Sequence, residues 1–142
     1  MPIIHKSVEI KAPVKEVYDY LMDPEKELEW LTSIMEVKDI TGSGVGKHFK
    51  WTYKMAGIRL NGESTFTEDV SEKKIKVESK GGVESTWNWK LDQRKDITVL
   101  DLDLDYKIPV PVLGKVVEKL LLKRNEHEAD LALTNIKEKL ES

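Results

Sequence analysis

Apolar and polar residues alternate along much of the chain with the period of a half-buried β-strand. Residues 4–10 alternate first, and the pattern returns over residues 34–106. Because short connections join neighbouring strands, we predict an antiparallel meander in which every strand has one apolar face. The segments that interrupt it are rich in glycine and charge, and they cover residues 42–46, 56–57, 71–73, 81–82 and 93–95.

Two short helices are predicted between the first strand and the meander. Pro13 suits the first position of a helix, where no backbone donor is required, and apolar residues follow it at helical spacing. Asp23 and Pro24 repeat this start pattern. The second helix should extend to Leu31 and bury both Leu28 and Leu31.

The last part of the sequence predicts one long helix over residues 113–140, between seven and eight turns at roughly 3.6 residues per turn. Its apolar residues lie on two nearly opposite sides. We expect the C-terminal half to pack on the sheet through Leu133, Ile136 and Leu140. The first half faces either a cavity that the chain does not fill or the two short helices, and the sequence leaves both alternatives open.

These elements predict an α+β fold for a single domain covering residues 1–142. A seven-stranded antiparallel sheet that is solvated on one side needs an apolar layer on the other, and the long helix can provide it. A chain of 142 residues is long enough to bury one such core without disulfides or a structural metal.

Charge and composition exclude several classes of partner. The chain has 23 Lys and Arg against 26 Asp and Glu, a net charge of -3, and no long basic run, which argues against nucleic acid. It has no cysteine and no secretion-type N-terminal segment, so we expect a cytoplasmic protein. No apolar stretch reaches the roughly 18 residues that integral membrane association needs. Monomer and homodimer both remain open.

Two segments resemble the opening and the end of a known family. The first runs from Val8 through Pro13 and Pro24 to Trp30, and the second is the tail at residues 133–141. With the order strand, two helices, six strands and long helix, they make the whole chain similar to the SRPBCC superfamily of START and birch-pollen-allergen-like proteins. The polyketide cyclase/dehydratase-like branch is the most similar.

This resemblance implies the helix-grip fold, in which a curved sheet wraps around the long C-terminal helix. It also implies a deep pocket between them for lipids, polyketides, hormones or quinones, but it carries no shared catalytic motif. Such pockets usually enclose ~300–1,000 Å³. The candidate ligand-binding residues are Phe49, Trp51, Tyr53, Leu60, Ser64, Phe66, Val77, Ser79, Trp87, Trp89, Leu102, Tyr106, Leu113, Val117, Leu120, Leu121 and Arg124.

Some of these candidates have an alternative explanation. The aromatic residues could simply form an ordinary core. The hydroxyls of Tyr53, Ser64, Ser79 and Tyr106 could bond either a ligand oxygen or the backbone. Arg124 shares a helical side with the apolar start of the long helix and could meet an anionic ligand group there.

The outward faces of the strands suggest no site. Asp101, Asp103 and Asp105 alternate on one strand, and we expect them to pair with lysines of neighbouring strands rather than to bind a metal. The expected partners are Lys74, Lys76 and Lys90. The histidines His5 and His48 should point outward, and no histidine is predicted to pair with a carboxylate as a general base.

The leading hypothesis is therefore binding or transport of a hydrophobic small molecule or lipid, without catalysis and without a cofactor or metal. One alternative is a polyketide cyclase/dehydratase-like enzyme, with Tyr53, Ser64 and Arg124 as first candidates for polar roles. Another is a co-chaperone-type protein-interaction module. A filled cavity with a large exposed apolar patch would favour that alternative.

Overall fold

Seven antiparallel strands and three helices make up the part of the chain that the computed structural model describes, residues 3–55, 57–81, 84–107 and 115–142. The helices are α1 (Val14–Leu21), α2 (Glu27–Trp30) and α3 (Lys115–Glu141). The strands are β1 (Ile3–Ile10), β2 (Ile34–Thr41), β3 (His48–Met55), β4 (Ile58–Val70), β5 (Lys74–Gly81), β6 (Glu84–Arg94) and β7 (Ile97–Lys107). This arrangement confirms the predicted helix-grip fold.

The strands form one sheet in the order β1-β7-β6-β5-β4-β3-β2. Consecutive strands from β2 to β7 are neighbours, as the short turns predicted. β1 pairs with β7 and forms one edge of the sheet. The chain therefore leaves β1 at one edge of the sheet and enters β2 at the other. On the way, α1 contacts β6 and β7, and α2 contacts β2 and α3, so the short helices lie on the same side of the sheet as α3.

The predicted inward faces of the strands are the buried ones. Phe49, Ile75 and Leu100 are fully buried, and the next inward residues along their strands are buried with them. β4 shifts register between Phe66 and Glu68, and such a bulge bends a strand and increases its twist. The period-two pattern of the sequence thus identified the core side of the sheet correctly.

The C-terminal half of α3 packs on the sheet at β1, as predicted. Leu133 and Ile136 are buried there, and Leu140 packs against the core. Asn135 Nδ2 donates to the carbonyl of Trp30 at 3.2 Å, which also ties α3 to α2. Among the described helices, none is apolar over a stretch long enough to cross a membrane.

The predicted burial of Leu28 is wrong. Leu28 is 49% exposed, whereas Trp30 and Leu31 are buried at 3% and 7%. The reason is local: Asp23 Oδ1 accepts a hydrogen bond from the backbone nitrogen of Glu25 at 3.1 Å and starts a 3₁₀ turn instead of a longer α-helix. In the single α-helical turn that follows, the last residue, Trp30, packs into the core, whereas Leu28 faces solvent.

The predicted lysine partners of the β7 aspartates are also wrong. Lys90 lies opposite Asp101 in the register, but within the described sheet no ion pair joins them or the other predicted lysines to β7. Asp103 instead meets His5 of β1, with 2.6 Å between Oδ1 and Nδ1. β1 is the other neighbour of β7 in the sheet, and the order of the strands in the sequence does not indicate this pairing.

A second histidine also contacts a carboxylate on the outer face of the sheet. His48 Nε2 lies 3.0 Å from Glu63 Oε2, and His48 Nδ1 lies 2.8 Å from Thr65 Oγ1. The register of β3 with β4 places His48 opposite Thr65, so its ring reaches Glu63 diagonally. Neither histidine is among the residues that line the cavity described below.

Candidate functional site

An unfilled cavity lies between the concave face of the sheet, α2 and α3, with a volume of about 80 Å³. This is more than the roughly 10–15 Å³ that one water molecule needs. It is less than the ~300–1,000 Å³ expected for pockets of this kind. The cavity is lined by Glu27, Leu31, Ile34, Trp51, Tyr53, Ser64, Val77, Ser79, Ser85, Trp87, Leu104, Tyr106, Asn125, Glu128 and Ala129.

A row of hydroxyl side chains crosses the sheet beneath this cavity. Ser64, Ser79, Ser85 and Tyr106 lie opposite one another on the four neighbouring strands β4 to β7, and we call them the hydroxyl row. Three of the four are serines, which reach only a short distance above the sheet. The cavity lies over this low part of the sheet, because the adjacent row consists of the larger residues Phe66, Val77, Trp87 and Leu104.

Trp51 forms one wall, and a glycine allows it to lie there. The register places Trp51 opposite Gly62, and a Cβ atom on Gly62 would come within 2.3 Å of Trp51 Cζ2. The indole Nε1 donates to Ser64 Oγ at 2.9 Å, and the Ser64 and Ser79 hydroxyls are 2.6 Å apart. The indole therefore covers the glycine and is held in place by the hydroxyl row.

A group of three indoles forms the adjoining wall. The ring centroids of Trp87 and Trp89 are 5.9 Å apart, and those of Trp30 and Trp89 are 5.7 Å apart. Trp87 is the member that lines the cavity, and its Nε1 donates to Ser85 Oγ at 3.2 Å. Such close aromatic contacts add to the energy of burial and hold the rings in defined positions.

Two carboxyl groups face the cavity from the helical side. Burial raises the pKa of Glu27 on α2 from 4.5 to about 8, so this carboxyl keeps its proton at neutral pH. Glu128 on α3 accepts hydrogen bonds from Thr32 Oγ1 at 3.0 Å and Ser33 Oγ at 2.5 Å. These two hydrogen bonds hold the Glu128 carboxyl group in place.

Two tyrosine hydroxyls complete the polar lining. Burial raises the pKa of Tyr53 to about 12, and the nearby charge of Glu128 acts in the same direction. The Tyr106 hydroxyl is buried and has no hydrogen-bond partner in the described parts of the chain. Buried hydroxyls normally have a partner, so Tyr106 has a donor available for a molecule in the cavity.

The structure brings together seven of the predicted site residues around the cavity, namely Trp51, Tyr53, Ser64, Val77, Ser79, Trp87 and Tyr106. It places four others in the core away from the cavity lining, namely Phe49, Phe66, Trp89 and Leu102. Leu60 is half-buried and Arg124 is exposed, and neither lines the cavity. Outside the described part of the chain lie Leu113 and the side chains of Val117, Leu120 and Leu121.

Sequence reasoning missed the helical lining of the cavity. Glu27, Asn125 and Glu128 are polar and belong to amphipathic segments, where a solvent-facing position is the usual expectation. Ser85 could have been found, because it has the same strand parity as Trp87. The other missed lining residues are Leu31, Ile34, Leu104 and Ala129.

The sequence model of the family described as "Polyketide cyclase / dehydrase and lipid transport" matches residues 1–141. The chain belongs to this family. No curated protein matches the chain in sequence. The match confirms the resemblance to the polyketide cyclase/dehydratase-like branch that the sequence indicates.

Solved structures with the same fold include three that cover almost the whole chain. A protein from Thermus thermophilus has a TM-score of 0.86 at 20% identity, covering 98% of this chain and 97% of its own. The Zhui aromatase/cyclase from a Streptomyces species has a TM-score of 0.77 at 15% identity, with 99% and 93% covered. A START superfamily protein from Mycobacterium smegmatis has a TM-score of 0.76 at 20% identity, with 97% and 98% covered.

Proposed function

We propose that this protein binds and carries a hydrophobic small molecule in the cavity over the hydroxyl row. The observation that supports this most is the unfilled space itself, bordered by Trp51 and Trp87 on the sheet side and by Ala129 on α3. Ligand sites in proteins are typically concave and mostly apolar, with a few polar groups that orient the ligand. The volume of about 80 Å³ is smaller than the ~150 Å³ of an apolar cavity that binds benzene, so a ligand with one or two rings would fill this space and extend beyond it towards the open side of the cavity.

Tryptophan fluorescence tests this proposal, because two of the four tryptophans line the cavity. We expect a saturable change in emission when the protein is titrated with fatty alcohols, quinones or aromatic polyketides. In the variant Ala129→Leu, added side-chain volume should occupy the cavity and remove the change. If no ligand class produces a saturable change in the natural protein, the binding proposal is wrong.

A second proposed function is catalysis of the cyclase or dehydratase type, and Glu27 is the observation that favours it. A carboxyl group that is protonated at neutral pH can act as a general acid, and Tyr53 lines the same cavity as a further hydroxyl donor. Arg124 is exposed, so in this proposal Glu27 takes the proton-transfer role.

Turnover of an aromatic polyketide substrate separates this second function from binding alone. Glu27→Gln removes the transferable proton and should abolish turnover while the substrate still binds. Glu29→Gln, on the exposed side of the same helix, should leave the rate unchanged. Equal rates for Glu27→Gln and the natural protein would exclude the acid role.

A protein-interaction function has less support, because we expected a filled cavity for it and the cavity is unfilled. The cytoplasmic location and the choice between monomer and homodimer stay predictions of the sequence.

A further inference from the structure

The described lining of the cavity contains two carboxyl groups and no basic side chain. Glu27 approaches from α2 and Glu128 from α3, and within the described lining there is no lysine, arginine or histidine. Arg124 is close enough to lower the pKa of Tyr53 slightly, but its side chain is exposed to solvent. Among the described residues, a ligand in the cavity would therefore meet carboxyl groups and no cation.

Glu128 is held in a defined position in this wall. Its two oxygens accept hydrogen bonds from Thr32 and Ser33, and its charge contributes to the raised pKa of Tyr53. Charges interact more strongly in a low-dielectric site than in water, and an anion also loses its hydration on entering. A ligand carboxylate is disfavoured here by both effects.

The uncharged polar groups of the lining favour a different ligand. The Tyr106 hydroxyl is buried and available to donate a hydrogen bond, and Trp51 and Trp87 provide ring surfaces beside it. A carbonyl oxygen on a flat apolar skeleton would accept the hydrogen bond and place its rings against the indoles. It would bring no charge close to Glu128.

We propose that the cavity selects neutral ligands with a hydrogen-bond-accepting oxygen, such as aromatic ketones or quinones, over the carboxylate of the same skeleton. This inference rests on the proposed function, because it specifies the ligand class of the same cavity. Glu128 provides the discrimination against anions, and Tyr106 provides the hydrogen bond to the accepted oxygen.

Isothermal titration calorimetry at pH 7 with two ligands of nearly equal shape tests the proposal. 2-Acetylnaphthalene is a neutral ketone, and 2-naphthoate carries a carboxylate in place of the acetyl group. We expect the ketone to bind at least about tenfold more tightly, a difference of roughly 1.4 kcal/mol. Equal binding, or tighter binding of naphthoate, would overturn the proposed selectivity while leaving the binding function in place. If neither compound bound, the binding function itself would be refuted for aromatic ligands of this size.

Variants separate the role of Glu128 from the general cost of burying an anion. Glu128→Gln keeps an oxygen acceptor for Thr32 and Ser33 but removes the charge, so naphthoate affinity should rise at least about threefold relative to the ketone. Glu138→Gln removes an exposed charge from the same helix and should leave the ratio unchanged. An unchanged ratio in Glu128→Gln would mean that Glu128 does not set the selectivity.

The role of Tyr106 has its own matched comparison. Tyr106→Phe keeps the ring and removes the hydroxyl, so the ketone should lose about fivefold in affinity, in line with one ordinary hydrogen bond. Naphthalene, which has no acceptor oxygen, should bind both proteins equally. An equal loss for both ligands would show that the substitution disturbs the cavity shape, and no loss for the ketone would remove the proposed hydrogen bond.

Discussion

Gly62 carries no side chain at the point where the indole of Trp51 crosses β4. A Cβ atom there would lie 2.3 Å from Trp51 Cζ2 and 2.4 Å from the carbonyl oxygen of Lys80. The carbonyl belongs to the neighbouring strand and cannot move without disturbing the sheet. The absence of a side chain at this position therefore determines where a wall of the cavity lies.

We expect Gly62→Ala to displace the Trp51 ring and to lower the free energy of unfolding by about 1–3 kcal/mol, the usual cost of overpacking. Urea denaturation followed by circular dichroism measures this. Arg59→Ala, at an exposed position on the same strand, should change stability by less than about 0.5 kcal/mol. Equal stability of the two variants would show that the Trp51 ring is not confined by Gly62.

Glu27 gives the protein a pH-dependent stability of predictable sign. Its pKa rises from 4.5 to about 8 on folding, so the folded state holds this proton more tightly than the unfolded state does. The carboxyl costs nothing below about pH 4.5, and its cost grows until the folded group ionises near pH 8.

The Tm of the natural protein should accordingly fall relative to that of Glu27→Gln as the pH rises from 5 to 9, since the amide cannot ionise. Differential scanning fluorimetry across this range measures the difference. Glu29→Gln, at an exposed position, should follow the natural protein. Parallel profiles for Glu27→Gln and the natural protein would mean that the Glu27 carboxyl is not buried in solution.

At the scale of single residues, the sequence predicted the strand side of the cavity far better than the helical side. Strand parity alone placed Ser64, Ser79 and Tyr106 inward, and all three line the cavity. The inward positions of Glu27 and Glu128 could not be predicted, because a glutamate in an amphipathic helix normally faces water. Their burial follows from how α2 and α3 meet, which is a tertiary contact.

At the scale of elements, α3 places two alanines in different surroundings three residues apart. Ala129 and Ala132 are both buried, at 1% exposure each, but only Ala129 lines the cavity among the described residues. A larger side chain at Ala129 has space to enter, whereas one at Ala132 meets a packed core. The pair can therefore test where the empty space lies.

We expect Ala129→Leu to change the free energy of unfolding by less than about 1 kcal/mol and Ala132→Leu to lower it by about 1–3 kcal/mol. Chemical denaturation of the two variants measures the difference. If Ala129→Leu were as destabilising as Ala132→Leu, the space beside Ala129 would have to be closed in solution.

The elements themselves were largely predictable, and the failures were local. Period-two alternation identified the seven strands, and the short turns between them fixed their order except at β1. Leu28 was misplaced because Asp23 and Pro24 start a 3₁₀ turn, and the sequence pattern does not distinguish this from an α-helical start. For the same reason, the sequence did not predict that Glu27, in the same segment, lines the cavity.

At the scale of the whole molecule, the cavity is the space that the sheet, the indoles beside it and α3 leave unfilled. The short serine side chains of the hydroxyl row leave space above the sheet. The indoles of Trp51 and Trp87 lie beside this space, and Ala129 contributes a small side chain from α3. Each choice of residue can be explained locally. The volume they leave could not be predicted, because it depends on the distance between sheet and helix, which no sequence pattern specifies.

A crystal structure of the protein grown with 2-acetylnaphthalene tests the central claim most directly. The account predicts the naphthalene rings above Ser79 and Ser85, with the ketone oxygen within hydrogen-bonding distance of the Tyr106 hydroxyl. Side chains of the sheet and α3 in direct contact across this space, with no ligand between them, would contradict it.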